Sequence, residues 1–230
     1  MEIYIVRHGL SEANEKKILQ GRIDFPLADE GRRQSHHLGK YFTERQIAFD
    51  RAVASNLSRA KETAEIILGY QGNPPLIEEE EGFQEVDIGD LQGLNGEEVT
   101  EKFPQYYGRG PERWMDFSEF GGETWTALCS RVNEAMPRYV NKDNLLDDTR
   151  LLIVAHGGVI RAMMSQLLCT SANFMFLRVE NCCHIKINYM AIRGHTRRYI
   201  EYILPLDEML VGGKPFEHGI SGEERDKLVS

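Results

Sequence analysis

Two short apolar runs, each leading into a histidine and a glycine, constrain this sequence more than any other feature. The first spans residues 2–6 and leads into Arg7-His8-Gly9; the second spans residues 151–155 and leads into His156-Gly157-Gly158. Runs of this kind are typical of strands buried on both faces of a parallel sheet. Ligands of such sheets bind beyond the carboxyl ends of the strands, so we expect both histidines to reach one crevice.

Strands and helices alternate along the chain, which predicts an α/β fold with a mostly parallel central sheet flanked by helices. Apolar or extended segments predict further strands at residues 51–54, 74–81, 184–191 and 199–204. Helical periodicity predicts helices over residues 29–44, with Asp29 as N-cap, and over residues 57–68, 125–139 and 159–168.

The domain organisation follows from length and regularity. A chain of 230 residues with 41% hydrophobic content can bury a substantial core. We expect a single domain over residues 1–204, with a small helical cap inserted at about residues 94–122. Residues 205–230 are polar and predict a C-terminal tail.

The charge balance excludes several partner classes. A formal net charge of −9 argues against a surface that binds nucleic acid or anionic lipid. The sequence contains no apolar run near the roughly 20 residues that span a bilayer, and no basic leader precedes an apolar stretch. We therefore expect a cytoplasmic protein that binds no nucleic acid and no membrane.

The cysteines do not predict a metal site. Cys129, Cys169, Cys182 and Cys183 lack the C-x-x-C spacing of zinc or redox motifs, so free thiols are expected. Cys182-Cys183-His184 offers too few donors for four-fold ligation. We expect neither a metal nor another cofactor.

Six motifs occur in an order that resembles the histidine phosphatase superfamily, the phosphoglycerate mutase-like proteins. The resemblance runs from residue 1 to about residue 190, and its opening segment, residues 7–14, matches R-H-G-x-[ST]-x-x-N. The further matching stretches are residues 20–27, 55–64, 85–89, 121–123 and 154–158. Several motifs in one order are far more specific than an R-H-G tripeptide alone. The resemblance implies the phosphoglycerate mutase-like fold.

The resemblance also implies a site for a phosphate monoester. Such a dianion requires fixed cations around its oxygens, and Arg7 and Arg59 would supply them, with His156 as a further donor. His8 would attack phosphorus and form a phosphohistidine. From the residues alone, a solvated arginine on the surface of a helix is the alternative interpretation of Arg59. The remaining candidate substrate-binding residues are Ser11, Asn14, Gln20, Gly21 and Gly157.

Phosphoryl transfer to a nucleophile also needs a general acid for the leaving alkoxide. The resemblance selects Glu85, whose neighbours Phe83, Val86 and Ile88 are apolar. From the residues alone a solvated loop carboxylate would be the simpler interpretation. Asp87 and the acidic residues 78–81 are competitors that spacing does not eliminate.

Hydrolysis is the preferred activity, and mutase-type transfer is the alternative. Mutases of this family carry a tyrosine after the catalytic glutamate and a lysine after Gly-Leu-Asn, where this chain has Ile88 and Gly96. The insertion has no adjacent arginine pair, a composition that suits a less anionic substrate. The resemblance is to the broad-specificity and α-ribazole-phosphate phosphatase branch.

Two alternatives of other classes remain open. A non-catalytic phosphate- or phosphopeptide-binding module would keep both arginines, but it would have little need of both His8 and Glu85. A metal-dependent hydrolase would need a cluster of ligands that the sequence does not offer. The expected partner is a small phosphorylated metabolite, and the expected state is a monomer or homodimer.

Overall fold

The strands form one central sheet in a computed structural model that describes residues 1–110, 113–141, 144, 147–168, 177–192 and 195–206. They are β1 (Glu2–Arg7), β2 (Arg51–Ser55), β3 (Ile77–Glu80), β4 (Arg150–Ala155), β5 (His184–Ile192) and β6 (His195–Leu204). Their order is β3-β2-β4-β1-β5-β6. The first four of these run parallel, while β5 and β6 are antiparallel to their neighbours. The predicted mostly parallel sheet is confirmed.

Six helices flank the sheet within the described residues. They are α1 (Glu12–Glu15), α2 (Asp29–Glu44), α3 (Ser58–Leu68), α4 (Gly96–Lys102), α5 (Trp125–Ala135) and α6 (Gly157–Leu167). Ala28, not the predicted Asp29, is the N-cap of α2, and Asp29 lies in the first turn. Helix α5 ends earlier than predicted and continues as a 3₁₀ turn, Met136–Arg138, because Pro137 has no N–H to continue the α-helical pattern.

The core occupies both faces of the sheet, as the alternation of side chains along β1 requires. Ile3 and Ile5 pack in one cluster with apolar residues of α5 and α6. Tyr4 and Val6 pack in the other cluster with residues of α2 and α3. Most of α6 is buried, which explains its many apolar residues, and only Arg161 and Gln166 are partly exposed.

The predicted insertion contains α4 and 3₁₀ turns at Pro104–Tyr106 and Ser118–Phe120. Helix α4 begins in a capping box in which Asn95 and Glu98 satisfy each other's backbone N–H groups. The predicted tail from residue 205 lies outside the described residues beyond residue 206. Among the described residues, no helix is long and apolar enough to cross a membrane.

Candidate active site

His8 and His156 meet at the carboxyl ends of β1 and β4, as the two apolar runs predict. The strands are parallel and pair Arg7 with Ala155, and the His8 N–H donates to the carbonyl of Ala155 at 3.0 Å. The two imidazole rings lie 5.0 Å apart between centroids. Their residues are 1% and 0% exposed, so both rings lie in a dry crevice.

The His8 ring is held in one tautomer. Its Nδ1 lies 2.7 Å from the carbonyl oxygen of Gly9, which can only accept, so Nδ1 carries the hydrogen. Nε2 therefore keeps its lone pair. Burial, followed by the charges of Arg59 and Arg7, holds the pKa of His8 well below its ordinary value of 6.5. The ring is neutral and can act as a nucleophile.

His156 is also anchored through one nitrogen. Its Nε2 lies 2.8 Å from Oγ of Ser55, and its buried Nδ1 has no hydrogen-bond partner within the described residues. Burial, with Arg59 as the next cause, holds the pKa of His156 well below its ordinary value. A buried nitrogen without a protein partner is suited to contact a ligand.

Two buried arginines complete a set that we call the anion pocket: Arg7, His8, Arg59 and His156. Arg59 donates to the carbonyls of Ile23 at 2.9 Å and Gly21 at 2.8 Å, and Arg7 donates to that of Val179 at 2.6 Å. The Nε atoms of both arginines are buried without a partner in the described structure. Arg59 is 0% exposed, so the alternative of a surface arginine is wrong.

Burial of these guanidinium groups has an electrostatic cost. It lowers the pKa of Arg59 to about 10 and also lowers the pKa of Arg7. Both groups remain charged at neutral pH. Because no ion pair joins either arginine among the described residues and their protein acceptors are neutral carbonyls, the charges are available to an anion.

Glu85 lies against the first turn of α6. Its Oε1 accepts from the N–H groups of Val86 at 2.9 Å and Gly158 at 3.0 Å. A β-carbon on Gly158 would lie 2.6 Å from that oxygen, so only glycine leaves room for the contact. The carboxylate thus reaches the helix that follows His156.

Four of the five competing acids are engaged elsewhere, and the fifth, Glu81, is exposed. Glu78 pairs with Arg51, Glu79 pairs with Lys61, and Glu80 accepts from Arg138 and Tyr139. Asp87 accepts from the N–H of Gly89 at 2.9 Å. Among these acids, only Glu85 contacts the residues that follow His156 in the described structure.

Two arginines hold the backbone of Glu85, and sequence reasoning missed both. Arg22 Nε and Arg131 Nη2 donate to its carbonyl at 3.2 Å and 3.0 Å. Both also pair with Glu123, which Arg131 grips through two nitrogens at 2.8 Å and 3.1 Å. We call Arg22, Glu123 and Arg131 the Glu85 brace. Arg22 and Glu123 lie in the matching stretches 20–27 and 121–123, where neither was assigned a role, and no local pattern marks Arg131.

Of the other predicted site residues, Gly21 and Gly157 adjoin the anion pocket, while Ser11, Gln20 and Asn14 show no direct contact with it among the described bonds. Ser11 is fully buried and donates to Gln20 at 3.0 Å, so these two side chains bind each other. Gly21 contributes its carbonyl to Arg59, and Gly157 opens α6, whose free N–H groups favour an anion. The Oδ1 of Asn14 is buried without a partner in the described structure.

The described residues do not form a metal-binding cluster. Within the described residues, no group of three or more histidine, cysteine, aspartate or glutamate residues could hold a metal ion. Burial raises the pKa of Cys182 to about 12 and that of Cys183 to about 11, so neither is a ready thiolate ligand. Cys169 lies outside the described residues.

Comparison with known proteins gives one consistent family. The family model described as histidine phosphatase superfamily (branch 1) matches residues 3–201. The uncharacterized phosphatase PhoE of Bacillus subtilis is 32% identical over 199 residues, which are 86% of this chain and 93% of that protein. A 2,3-bisphosphoglycerate-dependent phosphoglycerate mutase of Parvibaculum lavamentivorans is 34% identical over 72% of this chain and 79% of its own length.

The fold has a counterpart among solved structures. The α-ribazole phosphatase from Shigella flexneri superimposes with a TM-score of 0.75 at 22% sequence identity. The match covers 90% of this chain and 97% of that one. At this identity the likeness establishes the fold.

Proposed function

Because the chain belongs to the histidine phosphatase superfamily (branch 1), we propose that it hydrolyses phosphate monoesters through a phosphohistidine on His8. The observation that carries the proposal is the His8 ring itself. Its Nδ1 is bound to the Gly9 carbonyl, and its neutral Nε2 shares a buried crevice with two carbonyl-anchored arginines. Such a ring is an activated nucleophile beside a site for a dianion.

In the first step, His8 Nε2 forms a bond to phosphorus while the bond from phosphorus to the leaving oxygen breaks. Glu85, in its acid form, gives its proton to that oxygen, and the alcohol departs. In the second step, a water attacks the phosphohistidine and gives a proton to Glu85. The nitrogen–phosphorus bond breaks, which releases phosphate and restores both groups.

The anion pocket lowers the barrier by electrostatics. Arg7, Arg59 and His156 would contact the three non-bridging oxygens, whose charge is redistributed during transfer. Their positions are fixed by the fold before substrate arrives, because β1, β4 and the carbonyls of residues 21 and 23 hold them. No reorganisation is then needed at the moment of reaction.

The contacts in the cap favour water over a second substrate as the acceptor. Arg109 donates to the carbonyls of Tyr106 and Asp116 and stacks on the aromatic residues of the cap. Arg113 pairs with Glu119 at 2.9 Å. These cap arginines are engaged within the cap, whereas a mutase needs cations that hold a carboxylated acceptor.

The proposal also places the protein in the cytoplasm, acting on a small phosphorylated metabolite. Cys182 and Cys183 are adjacent free thiols, a state that fits a reducing compartment. Cell fractionation tests this location. Recovery of the native protein from an oxidising compartment would contradict it.

The decisive experiment measures phosphate release from an aryl phosphate and from sugar, nucleotide, glycerate and ribazole phosphates. The wild type is compared with His8→Ala and with His37→Ala, a matched control on the exposed side of α2. We expect release by the wild type and the control only, an acid-labile phosphorylated enzyme, and no effect of excess chelator. Isomerisation of a phosphoglycerate without release would instead establish a mutase, and no reaction at all would establish a binding protein.

A further inference from the structure

The loop that follows the nucleophile is held by two side chains from neighbouring helices. The N–H of Gly9 donates to Oγ1 of Thr63 on α3 at 3.0 Å. The next N–H, that of Leu10, donates to Oε1 of Gln34 on α2 at 2.9 Å. These bonds fix the two peptide units on either side of Gly9. We call Thr63 and Gln34 the loop clamp.

The second of these peptide units carries the carbonyl that selects the tautomer of His8. The carbonyl of Gly9 and the N–H of Leu10 belong to one planar unit, so Gln34 orients both. That carbonyl lies 2.7 Å from Nδ1 of His8 and keeps the hydrogen on this nitrogen. If the carbonyl turned away, the hydrogen would be free to move to Nε2. The ring would then lose the lone pair that attacks phosphorus.

Thr63 uses both capacities of its hydroxyl group. The residue is fully buried, and the hydroxyl donates to the carbonyl of Arg59, one helical turn earlier, at 2.7 Å while it accepts from Gly9. A helical threonine commonly makes the first bond alone. The second bond connects the helix that carries Arg59 to the residue after His8. Without the hydroxyl, the N–H of Gly9 would lose its acceptor in a buried place, which is costly enough to move the loop.

Close packing against α2 limits the positions that this loop can take. A β-carbon on Gly9 would overlap the carbonyl oxygen of Gly31 on α2, and a β-carbon on Gly31 would overlap the carbonyl oxygen of Leu10. The loop therefore lies directly on the helix backbone and cannot move closer to it. Steric contact with α2 and the bond to α3 together fix the loop between the two helices.

From these contacts we propose that Thr63 and Gln34 are positioning residues that hold His8 in the place and the tautomer that attack on phosphorus requires. The proposal rests on the nucleophilic role of His8 proposed above. Both residues act through backbone groups, Thr63 through the N–H of Gly9 and Gln34 through the peptide unit that follows it.

Loss of the loop clamp should slow the attack and leave phosphate binding in place. The guanidinium group of Arg59 has anchors of its own, the carbonyls of Gly21 and Ile23, which do not involve Thr63. The anion pocket can therefore still hold a dianion when the nucleophile is displaced. This separation distinguishes a positioning role from a general loss of structure, which would weaken both.

Thr63→Val, which replaces the hydroxyl by a methyl group of similar size, is the first test. We expect the rate of enzyme phosphorylation by an aryl phosphate, measured in a single turnover, to fall by roughly ten- to a hundredfold. The affinity for inorganic phosphate should stay within about threefold of wild type. Thr63→Ser keeps the hydroxyl and should restore the rate. The control is Thr43→Val, because Thr43 makes the same kind of bond to the carbonyl of Gly39 at an exposed site on α2.

Gln34→Met tests the other half of the loop clamp and decides the question even if Thr63→Val fails to fold. Gln34 is half-buried, so water can partly replace its oxygen, and we expect a smaller fall of roughly three- to tenfold. The matched control is Gln71→Met. Gln71 also accepts from a backbone N–H, that of Phe49 at 2.7 Å, but near the amino end of β2, at the far edge of the sheet from His8.

Nuclear magnetic resonance of ¹⁵N-labelled histidine gives a second readout that needs no turnover. The signals of His8 are those missing from His8→Ala. We expect the form with hydrogen on Nδ1 in the wild type and in both controls. In Thr63→Val and Gln34→Met we expect a mixture with the form that carries hydrogen on Nε2. A merely structural role would lower stability without changing the tautomer.

A wild-type tautomer and a wild-type rate in both clamp variants would overturn the proposal. It would also be overturned if Thr63→Ser were as slow as Thr63→Val, because the hydroxyl would then not be the group that matters. If the wild type forms no phosphorylated enzyme, the proposed function fails. The tautomer of His8 in the same variants then still decides whether the loop clamp positions the ring.

Discussion

In the anion pocket, Arg7 and Arg59 are anchored by backbone carbonyls, whereas Arg22 and Arg131 in the Glu85 brace share the carboxylate of Glu123. A carbonyl fixes a guanidinium without cancelling its charge, while a carboxylate fixes it and cancels the charge. The pocket therefore presents its positive charge to a ligand. In the brace, Asp87 also lies 4.0 Å from Arg22, so two carboxylates balance the two guanidinium groups and the brace serves to position Glu85.

The distinction separates arginines that bind from arginines that position. Loss of a binding arginine weakens the contacts with the substrate and the transition state. Loss of a positioning arginine displaces the general acid, Glu85.

The largest expected effect is that of Arg59→Lys. Lysine keeps the charge but cannot bond both Gly21 and Ile23 while it faces a phosphate. We expect kcat/KM for an aryl phosphate to fall by roughly 10²–10³-fold, as for loss of one fixed transition-state donor. Steady-state kinetics measure it, with Arg33→Lys on exposed α2 as the control. A loss of less than a few-fold would show that Arg59 does not contact the transferred phosphoryl group.

A smaller effect is expected for Gly158→Ala. The added β-carbon would lie 2.6 Å from Oε1 of Glu85 and 3.1 Å from Cε of Met115, so the carboxylate must move. We expect kcat to fall by roughly ten- to a hundredfold, since small displacements of a catalytic group carry such costs. Binding of inorganic phosphate to the anion pocket should persist.

Gly72→Ala is the matched control for this substitution, because a β-carbon at Gly72 meets nothing within 4 Å. Equal activity of the two alanine variants would show that Glu85 is not the general acid. Loss of phosphate binding in Gly158→Ala would show that the anion pocket and Glu85 do not act independently.

Next in size is the effect of Glu123→Gln, which removes the charge that joins the two brace arginines. We expect kcat to fall roughly tenfold and the dependence of kcat on pH to change where it reports the general acid. The affinity for inorganic phosphate should stay unchanged. Glu134→Gln on the exposed face of α5 is the control. A fall in phosphate affinity without a change in kcat would contradict the division between pocket and brace.

The last prediction concerns the stability of the protein and not its catalytic rate. The pKa values of His8, His156 and His184 are all lowered by burial, that of His184 from 6.5 to about 3. Below pH 6.5 the unfolded chain binds protons that the folded chain excludes, so stability present above that pH is lost as pH falls. Between pH 6.5 and about 3, His184 contributes a loss of about 1.4 kcal/mol per pH unit.

Urea unfolding between neutral and acidic pH measures this slope. His184→Gln should reduce it by one proton, because this ring lies in the core beside Tyr202, away from the anion pocket. Added inorganic phosphate should reduce the part of the slope that comes from His8 and His156, since a bound dianion favours the protonated forms of these rings. A slope that is the same in His184→Gln would contradict the assignment.

The pocket could be predicted from sequence much better than the brace. Arg7, His8 and His156 follow directly after apolar strands, so hydrophobic patterning alone brings them to one edge of the sheet. Arg59 and Glu85 needed the family motifs, since their local surroundings are those of a surface helix and a loop. The exact partners of Glu85 depend on contacts between distant loops.

The contacts of the brace escaped prediction for a physical reason. Arg131 bonds the carbonyl of Gly82, 49 positions away, and Arg22 bonds that of Glu85, 63 positions away. Every residue has a carbonyl, so such an acceptor leaves no mark in the sequence. Periodicity detects faces of helices and strands, and it does not detect which loop backbone a long side chain reaches.

The sheet order has a consequence for the synthesis of the protein. The central strand β1 pairs with β4 on one side and β5 on the other, so Glu2 faces Arg150 and Asn188. At roughly 5–20 residues per second, a ribosome needs on the order of ten seconds to make the chain between these partners. Throughout that interval β1 is an apolar strand with two unpaired edges, and His8 has neither His156 nor a closed pocket. The emerging chain thus exposes an aggregation-prone strand before its reactive site has formed. The nascent protein therefore needs protection from aggregation before it can be active.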